Sequence, residues 1–308
     1  MEPVYGGVMK SIFLLGAGAS FGSEPTGFPV PPLGTDLFTE LERLGGSAAQ
    51  LPEDLKEIFR ENFEAGMASF FTRYNRNTSS FQRDMAEYLS TFKPSVFSGY
   101  LALVELFALR DVTFVSLNYD LMLERAALAI GCKVGYTATK VPGVVNVLKI
   151  HGSSNFWPNF QGVKISDSKF TGAIVDIDAE VEFISPANIE AKFAEQCGHA
   201  PSIAMFAVGK NVRVCPDAIR RQQKEWEGQL LKSDILNIIG VAVHEVDEHI
   251  WGLIGRFGGR INYFGFDGDR QAYENWNSRY PRIDAAFHNM GFNGALKFLL
   301  SQILEGKM

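Results

Sequence analysis

Five short runs of nearly continuous apolar residues punctuate the chain: Ser11 to Leu15, Val112 to Leu117, Asn146 to Ile150, Ile235 to Ile239 and Arg260 to Phe266. Runs of this length, rich in β-branched and aromatic residues, predict strands buried on both faces, as in a parallel sheet. Helical periodicity follows some of them. Tyr119 to Ile130 predicts a helix that Gly131 closes, and Ala295 to Leu304 predicts the last helix. A strand followed by a helix, repeated, predicts an α/β fold built on a doubly wound, Rossmann-like parallel sheet.

Two stretches break that rhythm. Residues 42–110 read as a helical insertion, with Leu55, Ile58, Phe59 and Phe63 spaced for one helix face and Tyr88 to Phe92 opening another region. Residues 155–229 read as an irregular lid or small subdomain, because aromatics, prolines and Gly/Asp turns occur there without a long periodic run. The expected organisation is one domain over residues 1–308, with its core in about 10–41, 111–154 and 230–308. Neither an internal repeat nor a low-complexity tract is apparent.

Composition narrows the class. At 308 residues, 46% hydrophobic and 21% charged, the chain is an ordinary globular protein. A net charge of −6 gives no general attraction for polyanions, so direct nucleic-acid binding is not expected. Arg213, Arg220, Arg221 and Lys224 form the best basic cluster and read as a solvated helix face. Three scattered cysteines, Cys132, Cys197 and Cys215, are too few for a disulfide framework and make no Cys-x-x-Cys pair, so a reducing compartment and no metal are expected. The first residues lack a basic segment followed by an apolar run, and no apolar run approaches the ~20 residues of a membrane span. The expectation is a cytoplasmic protein.

Small and polar residues follow each strand run: Gly16-Ala17-Gly18, Asn118-Tyr119-Asp120, His151-Gly152-Ser153 and Gly240. In an open parallel sheet, ligands bind beyond the carboxyl ends of the strands, near the point where strand order reverses. A glycine turn entering a helix there predicts an anion site, most naturally for a pyrophosphate. The usual dinucleotide fingerprint is incomplete, because Phe21 stands where the third glycine belongs and the next segment, Gly27 to Gly34, is too rich in proline for an interior strand. There is no Walker-type phosphate loop. His244 and His249, in His-Glu-Val-Asp-Glu-His, are five apart and not on one helix face, so no zinc-protease site is expected from them.

The order Gly-Ala-Gly-Ala-Ser at 16–20, Leu-Asn-Tyr-Asp at 117–120 and His-Gly-Ser at 151–153 resembles the sirtuin superfamily, and more specifically the sirtuin-like NAD hydrolases of bacterial anti-phage defence. The resemblance covers the α/β core and neither insertion. It implies that Gly16, Ala17, Gly18, Ala19 and Ser20 hold the NAD diphosphate, that Asn118 and Asp120 position the nicotinamide ribose and amide, and that His151 is the base acting on a ribose hydroxyl. It further implies Gly240 and Val241 against the diphosphate or adenine ribose, and Asn262 on the adenosine ribose. The chemistry fits independently: breaking the nicotinamide–ribose bond builds positive charge on the sugar, which calls for acceptors, a carboxylate and a group that exchanges protons near neutrality. Bland readings stand beside these. Asp120 is equally a helix cap, Asn118 a strand-end turn residue, and His151 a structural histidine.

The protein-deacylating branch carries two Cys-x-x-Cys pairs and a Pro-Asp-Phe-Arg loop; this chain has neither, with Pro29 and Pro31-Pro32 in that loop. The expected activity is therefore NAD hydrolysis to nicotinamide and ADP-ribose, as the effector of an abortive-infection system. Such an activity has to be gated. The resemblance implies a homo-oligomer assembled through residues 42–110, with a partner such as a DNA-translocating ATPase or a short Argonaute. Two other readings remain open: a module that binds NAD or ADP-ribose without turnover, and a zinc-free deacylase or ADP-ribosyltransferase.

Overall fold

A computed structural model describes residues 9–74, 78–161, 177, 179–195, 199–204, 212–244, 247–281 and 283–307. Its strands are β1 (Ser11–Leu15), β2 (Val112–Ser116), β3 (Lys133–Gly135), β4 (Val144–Lys149), β5 (Phe156–Asn159), β6 (Glu180–Phe183), β7 (Ile235–Ile239), β8 (Arg260–Gly265) and β9 (Asp284–Asn289). Seven of them form one sheet in the order β3-β4-β2-β1-β7-β8-β9. All its pairings are parallel.

The order grows outward from β1 in both directions. Ser11 to Leu15 are hydrogen-bonded in register to Val112 to Ser116 on one side and to Ile235 to Ile239 on the other. Strand order therefore reverses between β1 and β7, and the loops after these two strands flank the resulting crevice.

Alternation along the strands sorts the core into two layers. Phe13, Leu15, Phe114 and Val147 face one layer, shared with helices Gly34–Leu44, Glu53–Glu61, Phe63–Arg73, Ser79–Ser90, Gly99–Phe107 and Phe292–Leu304. Ile12, Leu14, Val115, Leu148 and Ile238 face the other, against Trp226, Trp251 and Trp276. The doubly wound α/β expectation holds.

The helical insertion packs into the first layer. Leu55, Phe59, Phe63, Met67, Phe70 and Phe81 are buried in the same cluster as Phe13 and Phe114. The run read as one face is two helices: Asn62 interrupts it and caps the second by accepting from the Ala65 N–H at 3.0 Å. The lid region holds an antiparallel β5–β6 pair and a 15-residue helix, Pro216–Leu230, which its polar composition concealed. That helix carries Arg220, Arg221 and Lys224 of the basic cluster, with Arg213 just before it; Arg220 pairs with Asp217 and Arg221 with Glu180. Arg83, from the insertion, donates to the carbonyls of Phe193, Glu195 and His199 and ties the insertion to the lid. Cys197 lies outside the described residues. Among the described residues no helix is long and apolar enough to cross a membrane.

Candidate functional site

A cavity of about 740 Å³ opens at the carboxyl end of the sheet. It lies within the ~300–1,000 Å³ range of small-molecule sites. Its wall includes Gly16, Ala17, Gly18, Asn118, His151, Gly240 and Val241. Loops from β1, β2, β4 and β7 thus converge on one space.

The β1 and β7 loops interlock. A Cβ on Gly16 would stand 2.4 Å from the Gly240 carbonyl oxygen, and one on Gly240, whose φ is +63°, would stand 2.0 Å from the Ala19 nitrogen. Both must be glycine. The interlock also uses main-chain donors: the Gly16 N–H donates to the Ile239 carbonyl, the Gly18 N–H to the Gly240 carbonyl and the Ala19 N–H to the Gly16 carbonyl. The glycine turn is therefore spent largely on holding two loops together. Exposed Ala17 remains at the cavity wall, but no lysine or arginine stands with it there.

Asn118 is buried beneath this turn. Its Nδ2 donates to the Gly16 carbonyl at 2.8 Å and to Ser20 Oγ at 2.9 Å, and its N–H donates to Ser116 Oγ. No donor among the described residues sits on its Oδ1, so this oxygen can accept from a guest. Ser20 also bonds the Tyr100 hydroxyl at 2.9 Å. Burial pushes that phenol well above its usual pKa, so it is a neutral strut.

His151 follows β4 in a loop stapled to the lid. The Ala204 N–H donates to the His151 carbonyl and the Ser153 N–H to the Ser202 carbonyl. Gly152 lets the two segments approach, since a Cβ there would lie 2.0 Å from the Ser202 oxygen, at a φ of +83°. The imidazole lines the cavity, and its Nε2 lies 2.9 Å from His249 Nε2.

Several expected contacts lie elsewhere. Ala19 and Ser20 are fully buried behind the glycine turn and are not on the cavity wall, because they lie on the inward side of the short helix Ala17–Phe21. Asp120 is also off the wall: it stands one residue before the N-cap Leu121, and its Oδ1 accepts from the N–H of Met122, the first residue of the following helix, at 3.1 Å. Asn262 sits within β8, opposite Asn237, and donates to Asn237 Oδ1 at 2.9 Å. It is a buried rung of the sheet, away from the crevice.

The structure adds groups that sequence reasoning passed over. Carboxylates of Glu64, Asp247 and Asp269 line the cavity, Glu64 from the helical insertion. The Tyr119 hydroxyl is pushed up by burial first and then by the charges of Glu64 and Asp247, so both acids act on one side of the cavity. His244 lines the wall too. The segment 244–249, set aside as a zinc motif, thus contributes His244 and Asp247 to the wall, while His249 meets His151; Glu245 and Val246 lie outside the described residues. Among the described residues no cluster of three metal-ligating side chains forms.

The loops after β2 and β4 are joined from beneath by a buried ion pair. Lys149 Nζ lies 3.2 Å from Glu124 Oε1 and donates to the Asp120 carbonyl at 2.7 Å. Burial lifts the Glu124 carboxyl above its usual range. The approach is an ion pair without hydrogen-bond alignment.

No protein-family model matches the chain, and no curated protein does either.

Proposed function

We propose that this chain is an NAD glycohydrolase that breaks the nicotinamide–ribose bond. The observation that supports it best is the convergence of Asn118, His151 and the Gly16–Gly18 turn on one cavity at the point where strand order reverses. The three motifs, at 16–18, 118 and 151, each follow one of three adjacent parallel strands, so the sheet carries them to one wall where a single ligand can span them.

Each group has a task. Asn118 Oδ1 accepts from a hydroxyl of the nicotinamide ribose, while its Nδ2 bonds fix the amide plane. As the C1′–N bond breaks, nicotinamide leaves with the electron pair and positive charge spreads over the sugar. The carboxylates of Glu64 and Asp247 stabilise that charge from the wall. Water then bonds to C1′, and its proton passes to His151. Ala17 and the main chain of the Gly240 loop face the diphosphate.

The function proposed for the activity is defence by NAD depletion in the cytoplasm, gated by self-association or by a partner protein. The test is nicotinamide release by the purified chain, alone and with the protein encoded beside it. Asn118→Ala and His151→Ala are expected to lower release at least ~100-fold, the scale of a lost acid–base group, with thermal unfolding unchanged. Binding of ADP-ribose without release under any condition would convert the reading into a nucleotide sensor, and label transfer from NAD to protein would convert it into a transferase.

A further inference from the structure

The cavity extends well beyond the three motif loops. It runs from His151, after β4, to Asp269, after β8, and these two strands are four spacings of about 4.8 Å apart, roughly 19 Å in all. With a nicotinamide ribose at Asn118 and His151 and the diphosphate at the Gly16 and Gly240 loops, the second ribose of a dinucleotide falls over the end of β8. The residue expected to hold it, Asn262, is a rung inside the sheet. At that end the wall offers a carboxylate instead.

Asp269 is built into place. Its Oδ2 accepts from the Phe266 N–H at 2.9 Å, and its own N–H donates back to the Phe266 carbonyl at 2.9 Å. Gly265, the last residue of β8, makes room for it: a Cβ there would lie 2.9 Å from that same Oδ2. No donor among the described residues sits on Oδ1, so this oxygen can accept from a guest. Beside it, Phe266 is 63% exposed on the cavity wall and rests on Gly291, where a Cβ would lie 2.8 Å from the Phe266 Cζ. A ring left this open on a wall offers its face to a planar base. The charges around it have one sign. Glu64, Asp247 and Asp269 line the cavity, and among the described residues no lysine or arginine does. Arg270 is engaged off the wall, 4.4 Å from the Phe287 ring centroid and paired with Asp267. Asp267 and Asp269 occupy the first turn of the helix Asp267–Ser278, so two carboxylates already meet its positive end.

We propose that Asp269 makes the cavity selective for NAD over NADP: its Oδ1 accepts from the 2′-hydroxyl of the adenosine ribose, and its charge repels a phosphate in that place. The direction in which the dinucleotide lies rests on the hydrolase reading. An acid accepts the ribose hydroxyl in NAD-binding sites, and an arginine takes over where a 2′-phosphate is bound. In the usual fold that acid ends the strand following the glycine turn. Here the segment after the turn, residues 27–34, is proline-rich, and the acid comes from β8, on the other side of β1.

The test compares calorimetric binding of ADP-ribose and of ADP-ribose 2′-phosphate to the whole chain, and nicotinamide release from NAD and from NADP. Wild type is expected to prefer the unphosphorylated ligand by about 100-fold or more, the scale of like charges set side by side. Asp269→Asn keeps an acceptor for the Phe266 N–H and for the hydroxyl. It is expected to bind ADP-ribose within about tenfold of wild type, as a charged hydrogen bond becomes a neutral one. Its preference is expected to fall below about tenfold, because the repelling charge is gone. Asp269→Ser, which keeps a capping oxygen without charge, is read in the same way. Equal affinity of wild type for the two ligands overturns the proposal, as does failure to bind either. So does a preference unmoved in both variants when they unfold at the wild-type temperature. The stated preference in binding, with no release from wild type under any condition, would remove the hydrolase reading and leave Asp269 as the reader of the ribose. Equal release from NAD and NADP would keep the hydrolase and remove the selection.

Discussion

Lys149 is the least expected residue of the fold. It is the one charge in a strand run otherwise apolar or neutral, and its side chain is 1% exposed and faces a glutamate that is wholly buried. Two charges are out of water, and each is tolerable only because of the other. Lys149→Met is expected to destabilise the protein by about 3–5 kcal/mol, because it leaves the Glu124 carboxylate buried and uncompensated. The double change Glu124→Met with Lys149→Met is expected to regain most of that loss. Urea denaturation of the three proteins checks it, and a double variant no better than the single would show that the pair is not what Lys149 supports. Such a pair cannot be read from one sequence, since its members are separated in the chain and their burial is set by a third element, the Pro216–Leu230 helix against β4. Asn118 and His151 were legible for the opposite reason: each directly follows an apolar strand run, so the strand itself delivers it to the sheet edge.

At the scale of elements, legibility followed burial. The strands found in the sequence, β1, β2, β4, β7 and β8, are buried nearly throughout. Those missed within that sheet, β3 and β9, are its two edges, with mixed exposure and no apolar run; the short β5–β6 pair of the lid was missed as well, β5 although mostly buried. β9 nevertheless carries a titratable group into the interior. His288 lies between the rings of Phe264 in β8 and Phe298 in the last helix, and its Nε2–H donates to Asn262 Oδ1 at 3.2 Å. Burial holds its pKa below the usual histidine value. The folded state therefore prefers the neutral ring. Its contribution is complete above the unfolded value, near ~6.5, and is lost as pH falls through the lower folded value. His199 is lowered in the same direction, so the informative quantity is a difference. The stability advantage of wild type over His288→Gln should be constant at neutral pH and shrink as pH falls into the acid range. A pH-independent difference would show that His288 does not titrate against folding.

The whole molecule is organised around β1. Its two neighbours come from chain segments far apart, and the helical insertion lies between β1 and β2 in sequence while sharing the first core layer in space. An insertion of this kind is not detachable. Excision of residues 42–110 would strip Phe59, Phe63, Phe70 and Phe81 from the cluster that covers Phe13 and Phe114. The expected outcome in calorimetry is one cooperative transition for the intact chain and no folded species for the excised one; two separable transitions, or a folded remnant, would make the insertion a domain of its own. The sequence marked these residues as helical but could not say which layer they join, because amphipathic periodicity fixes a buried face without naming its partner.

The placement of β1 at the middle of the sheet also sets a timetable for biosynthesis. β1 leaves the ribosome more than two hundred residues before the partner β7 that pairs with it. At about 5–20 residues per second, that delay is roughly 10–45 s. The Gly16 and Gly240 loops cannot interlock before then, so a nascent chain has no finished crevice. If the proposed hydrolysis of NAD is its chemistry, the chain is thereby inert until β7 has emerged, by connectivity alone.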